Sequence, residues 1–95
     1  MSAVIDEAVT ALNARMDGGF DGTAKFVVLG EGTIMIDESG ARAGDEPAEV
    51  TMSAEPDVFR SILDGETNPT TAFMTGKLKV DGDMGAAMRL GSVLS

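Results

Sequence analysis

Cysteine, histidine, tryptophan and tyrosine are all missing from this 95-residue chain, which narrows its chemistry before any pattern is read. Without Cys there is no disulfide framework, no thiolate nucleophile and no zinc–thiolate site. Without His there is no imidazole base, so Ser-His and Cys-His catalysis and the usual transition-metal sites are excluded. Positive charge is scarce as well: seven Lys and Arg stand against sixteen Asp and Glu, a net charge of −9. With no basic cluster, that balance cannot neutralise a run of phosphates, so neither nucleic acid nor an anionic membrane surface is an expected partner. No run reaches the roughly 18 apolar residues of a membrane span. Asp6 and Glu7 stand where a secretory leader would be basic and then apolar, and Val93-Leu94-Ser95 is not a peroxisomal address. A cytoplasmic location is the expectation.

What is present suits one folded unit. At 43% hydrophobic and 24% charged residues, the chain has ordinary globular composition, and its length allows one modest core over residues 1–95. Ile5, Ala8, Val9, Leu12 and Met16 recur at helical spacing, so residues 2–16 read as an amphipathic helix with Ser2 as N-cap and Gly18-Gly19 as its end. Strands follow at residues 24–29, 33–37 and 48–53, with a weak edge strand near 41–43. The period then changes. Residues 56–63 read as a helix opened by Pro56, a short helical turn follows Asn68-Pro69, and Lys77-Leu78-Lys79-Val80-Asp81 alternates as a strand. Asp83 is the expected N-cap of a last helix from Met84 to about Leu94. Strand alternation points Val50, Met52, Leu78 and Val80 toward the helices. The order α, β-meander, α, α, β, α reads as an α+β fold with helices on one face of a sheet.

No constellation for catalysis or metal binding emerges. The stretch Asp17-Gly18-Gly19-Phe20-Asp21-Gly22 lacks the third-position oxygen and twelfth-position Glu of a calcium loop, and turn chemistry accounts for it. Gly30-x-Gly32 is not followed by a helix, so it does not cradle phosphate. Seven Met residues are more informative. Met16, Met35, Met52, Met74, Met84 and Met88 are expected to face inward or sit near the core, where thioether chains either fill gaps or line a deformable apolar cavity. Composition leaves both readings open.

The stretch from Leu63 to Leu90 carries a Gly-x-x-Asn-Pro turn, Ala72-Phe73-Met74, Gly76-Lys77-Leu78-Lys79, then Gly82-Asp83-Met84 leading into Ala87-Met88-Arg89-Leu90. In residue types and spacing it closely resembles the signature of the sterol carrier protein type 2 family of lipid-transfer domains. Phe26-Val27-Val28 and Val50-Thr51-Met52-Ser53 resemble, more loosely, that family's first and fourth strands. The resemblance implies a five-stranded, mostly antiparallel sheet of order 3-2-1-4-5 with helices layered on one face. It also implies an apolar tunnel between sheet and helices that holds sterols, fatty acids, acyl-coenzyme A or phospholipids.

The function expected is non-enzymatic: a carrier that shields an acyl chain or sterol from water, with no cofactor and no stable membrane insertion. Burying about twelve methylenes at ~0.8 kcal/mol each gives roughly 10 kcal/mol gross. Restricted motion removes roughly 4 kcal/mol or more, leaving affinities around micromolar or weaker. The expected wall is Val9, Leu12 and Met16 on the first helix, with Phe26, Val28, Ile34 and Met52 on the sheet. Phe59, Ile62, Phe73, Met84 and Met88 complete it, and each of the twelve is also an ordinary core position. The alternatives are a filled-core domain that docks on a protein partner, and an accessory that delivers lipid to a separate enzyme.

Overall fold

The computed structural model describes residues 3–16 and 19–94 of the chain. Met1, Ser2, Asp17, Gly18 and Ser95 lie outside the described residues, and with them the expected Ser2 cap, the first two residues of the 17–22 stretch and Gly18 of the expected helix end. The elements run α1 (Ala3–Met16), β1 (Ala24–Val28), β2 (Gly32–Asp37), β3 (Gly40–Ala43), β4 (Val50–Ala54), α2 (Pro56–Leu63), α3 (Pro69–Met74), β5 (Leu78–Gly82) and α4 (Met84–Leu94).

Local chemistry explains most boundaries. Pro56 opens α2, where its missing N–H costs no helical bond, and Gly65 at φ +81° turns the chain after it. The Asn68 side chain accepts the Thr70 N–H at 2.8 Å and caps α3. Asp83 Oδ1 accepts the N–H of Gly85 at 2.8 Å and of Ala86 at 3.4 Å, which is the expected cap of α4. The last strand extends one residue further than alternation suggests. Gly82 pairs with Val50 at φ +107°, and a Cβ there would stand 2.5 Å from the Glu49 carbonyl oxygen. Only glycine fits that approach.

The strands form one sheet of order β3-β2-β1-β4-β5. β1 pairs parallel with β4, and the other three pairings are antiparallel. Phe26 is in register with Ile34 on one side and Met52 on the other, so these three residues share a face. Ala24, Val28, Ile36, Val50, Ala54 and Leu78 are buried in the same core, with Ile5, Ala8, Leu12 and Met16 of α1 and Ala86, Ala87 and Leu90 of α4. The Phe59 ring of α2 meets the Phe26 ring at a centroid distance of 4.1 Å, tilted by 43°. Helices therefore cover the Phe26 face, as the sequence predicts.

Met35 does not join that core. Ile34 and Ile36 flank it on the helix side, so period-two alternation sends Met35 to the opposite face. There it is buried beneath the segment between β3 and β4, and its Sδ accepts the Glu46 N–H at 3.4 Å. Lys25 and Arg42 stand beside it in register. Lys25 pairs with Asp45 at 3.1 Å, while Arg42 bridges Glu46 at 2.7 Å and also Asp37. These ion pairs hold the segment across the outer face, where a methionine is shielded without a helix.

Candidate functional site

The helix layer closes the two halves of the sheet differently. Over β1 and β2, Leu12, Phe59 and Ile62 are at most 1% exposed, and the space is solid. Between β4–β5 and α3–α4 lies a cavity of about 440 Å³. Its floor is Met52 of β4 with Leu78 and Val80 of β5. Pro69, Phe73 and Met74 of α3 form one wall, and Met84, Ala87, Met88 and Gly91 of α4 form the other. The last four fall at intervals of three and four residues, one stripe of a helix. Asn68, Thr70 and Ser92 supply the neutral polar groups of the lining.

The opening is apolar as well. Phe73 is 42% exposed, Met84 47%, Met88 73% and Met74 79%, although these methionines read as inward or near-core positions. A void beneath them gives their side chains nothing solid to pack into, so they border the cavity and remain open to water. A volume of about 440 Å³ lies in the roughly 300–1,000 Å³ range typical of small-molecule sites.

Of the twelve residues expected along the wall, Met52, Phe73, Met84 and Met88 line this cavity. Leu12, Met16, Phe26, Val28, Ile34, Phe59 and Ile62 are buried in the packed core, and Val9 packs half-buried against it. The structure thus places those eight outside the cavity lining, where side chains of α1 and α2 such as Leu12, Phe59 and Ile62 fill the space over the sheet. Leu78, Val80, Ala87 and Gly91 were not singled out as wall residues. Inward alternation in β5 and the four-residue stripe of α4 are the signals that carry them.

The titratable groups do not converge on the cavity. Among the described residues no three His, Cys, Asp or Glu side chains are placed to hold a metal. Asp37, on the outer face, has a shifted carboxyl. Its hydrogen bond from the Arg42 guanidinium, then that from the Ser39 N–H, holds it below the ordinary carboxylate range. Arg42 is held charged in return. A second, smaller recess of about 140 Å³ lies between α1 and α2, with the Glu7–Arg60 ion pair at 3.5 Å beside it. None of the described helices is long and apolar enough to cross a membrane.

The sequence profile of the SCP-2 sterol transfer family matches residues 6–95. The chain belongs to this family. Hydroxysteroid dehydrogenase-like protein 2 of Xenopus tropicalis is 40% identical over 77% of this chain, but the matched part is 19% of that relative. The chain thus spans about a fifth of the length of these dehydrogenase-like relatives. Among solved structures, sterol carrier protein 2-like 2 of Aedes aegypti superposes with a TM-score of 0.79 at 16% identity, covering 95% of each chain. Sterol carrier protein 2 of the same species, in complex with the C16 fatty acid palmitate, gives 0.78 at 21% identity, over 100% of this chain and 97% of that one. These likenesses establish the same fold for this SCP-2 family member.

Proposed function

We propose that this SCP-2 family domain is a non-catalytic lipid carrier that holds an acyl chain or a sterol-sized apolar ligand in the cavity between β4–β5 and α3–α4. The observation that carries this reading is the cavity itself. An apolar space of about 440 Å³ persists in a domain whose other half is packed solid. Such a space strips water from a ligand and makes no bond, so binding is partition from water to hydrocarbon. The palmitate held by the Aedes aegypti structure of the same fold supports the ligand class. Methionines around the opening suit it too, since unbranched thioether chains re-pack around ligands of different shape.

The test is direct. Native mass spectrometry of protein purified from cells, followed by titration with a fluorescent long-chain lipid, is expected to show a co-purifying lipid and saturable one-to-one uptake. A bare mass together with no uptake would refute the carrier reading.

One observation favours a second role that is compatible with the first. The matched segment is a small part of a dehydrogenase-like relative, so this domain would also serve by presenting lipid to a catalytic unit. In that reading too, the domain itself turns nothing over.

A further inference from the structure

We infer that the mouth of the cavity is itself a docking surface, and that it seats reversibly on the zwitterionic surface of a lipid bilayer. This rests on the carrier reading and names the partner from which the ligand enters. Of the large hydrophobic side chains exposed among the described residues, Leu29 alone does not line the cavity, while Phe73, Met74, Met84 and Met88 surround its opening. Apolar groups gathered on an otherwise charged surface mark a contact face.

The distribution of charge points to the occupant. Every Asp and Glu except Asp81 and Asp83 lies at or before Glu66, so α3 and α4 carry none, although the whole chain has a net charge of −9. Asp81 alternates with Val80, so it leaves β5 on the face away from the cavity. Asp83 Oδ1 is occupied by the N–H groups of Gly85 and Ala86. Lys77, exposed in the turn between α3 and β5, offers a cation to headgroup phosphates. α1 does not compete as a docking face, because its exposed side presents Asp6, Glu7 and Thr10 and no large apolar group. With α3 and α4 toward the bilayer, the apolar ring enters the interface and the acidic remainder stays in water. Two copies meeting mouth to mouth would instead set one net charge of −9 against another, and an anionic bilayer would meet the same repulsion. A lipid leaving the docked bilayer reaches the cavity without exposing its whole chain to water.

The experiment uses the whole chain and phosphatidylcholine vesicles in a cosedimentation titration. Thr71 is exposed one turn before Met74, and Thr10 is exposed on α1; neither lines the cavity. Thr71→Glu and Thr10→Glu therefore add the same charge on and off the proposed face. The parent and Thr10→Glu are expected to bind the vesicles alike, with Thr71→Glu needing roughly threefold more lipid or beyond. Lys77→Glu is a second variant of the same face and is expected to weaken binding as well. Uptake of a dispersed fluorescent lipid, measured without vesicles, is expected to be unchanged in all three variants. Uptake by a parent that does not cosediment overturns the docking and leaves the carrier reading intact. Equal vesicle binding by Thr71→Glu, Lys77→Glu and the parent, or equal loss in Thr10→Glu, places the contact elsewhere and overturns it too. A parent that dimerises without vesicles, and that Thr71→Glu returns to monomer, has a second copy on this face, which also overturns it. Vesicle binding in the expected order without any lipid uptake upholds the docking and refutes the carrier reading.

Discussion

The carboxamide of Asn13 pairs with the backbone of Ala41 as a strand would. Asn13 Oδ1 accepts the Ala41 N–H at 2.8 Å, and its Nδ2 donates to the Ala41 carbonyl at 3.1 Å. β3 is an edge strand whose outer backbone groups would otherwise be open to another chain. Asn13 lies off the apolar stripe of α1, on the flank that meets β3. Replacing it with Ala removes both bonds and is expected to cost about 1–2 kcal/mol. In a domain of this size each kcal/mol lowers the melting temperature by roughly 4–8 °C. Asn13→Asp keeps an acceptor for the Ala41 N–H but sets a carboxylate against the Ala41 carbonyl, so a loss of the same order is expected. A melting curve unchanged in both variants would show that the bonded pair contributes nothing to the edge.

Asp37 gives the outer face a dependence on pH. Its folded pKa lies below the ordinary value because Arg42 and the Ser39 N–H favour the carboxylate. The stabilisation is therefore fully present above the unfolded pKa and is lost as pH falls through the folded one. Asp37→Asn is expected to melt lower than the parent at pH 7, with the gap closing on acidification below about pH 4. The Lys25–Asp45 and Arg42–Glu46 pairs hold the cover over Met35, so loosening this cluster is also expected to speed amide exchange at Glu46. Equal melting of parent and variant at every pH would contradict the ion-paired geometry.

Fold and site were legible to different depths, and the reason is physical. Alternation and helical stripes report which side of an element faces inward, and they placed α1, α2, α4 and the inner faces of β4 and β5. They do not report whether the inward side meets another side chain or a void. Phe26 and Met52 are neighbours in register on one face, yet Phe26 is stacked on Phe59 while Met52 floors the cavity. That difference depends on which side chains of other elements reach each position. Leu12 and Phe59 fill the space over β1 and β2, while the α4 stripe that lines the cavity ends in Gly91. The parallel β1–β4 pairing is another feature no local pattern carries, since it joins strands far apart in sequence. Met35 is buried, as expected of it, but on the face away from the helices, because its neighbours Ile34 and Ile36 occupy the helix side.

The methionines provide an experimental map of this division. Met74, Met84 and Met88 are 79%, 47% and 73% exposed, whereas Met16, Met35 and Met52 are at most 8% exposed. Peroxide transfers one oxygen atom to an accessible thioether sulfur and leaves water, converting an apolar side chain to a polar sulfoxide. Peptide mass analysis after mild peroxide treatment is expected to find Met74 and Met88 modified first and Met84 next, with Met16, Met35 and Met52 protected. Lipid affinity is expected to fall in step, because polar groups then ring an apolar opening. A triple variant with Leu at positions 74, 84 and 88 is expected to keep its affinity through the same treatment. Early oxidation of Met35 or Met52 would contradict the packing described for them.

Gly91 separates an open cavity from a packed one. It lies on the α4 stripe that lines the space, and a Cβ added there would meet only the Pro69 Cβ, at an ordinary 3.9 Å. Gly91→Ala is expected to stabilise the helix by about 0.5–1 kcal/mol, since glycine inside a helix carries an entropic penalty that alanine lacks. Gly91→Phe adds a ring aimed at the volume the ligand needs. In an open cavity the ring enters free space, so lipid uptake falls sharply while the melting temperature stays level or rises. In a packed interior the same ring forces neighbours out of their rotamers, at a typical cost of about 1–3 kcal/mol and a clear drop in melting temperature. Met88 would not discriminate, because a side chain 73% exposed tolerates enlargement in either case. Paired thermal melts and lipid titrations of the two Gly91 variants therefore decide the matter. Destabilisation by Phe with lipid uptake unchanged would mean that the ligand is held somewhere other than between α4 and β5.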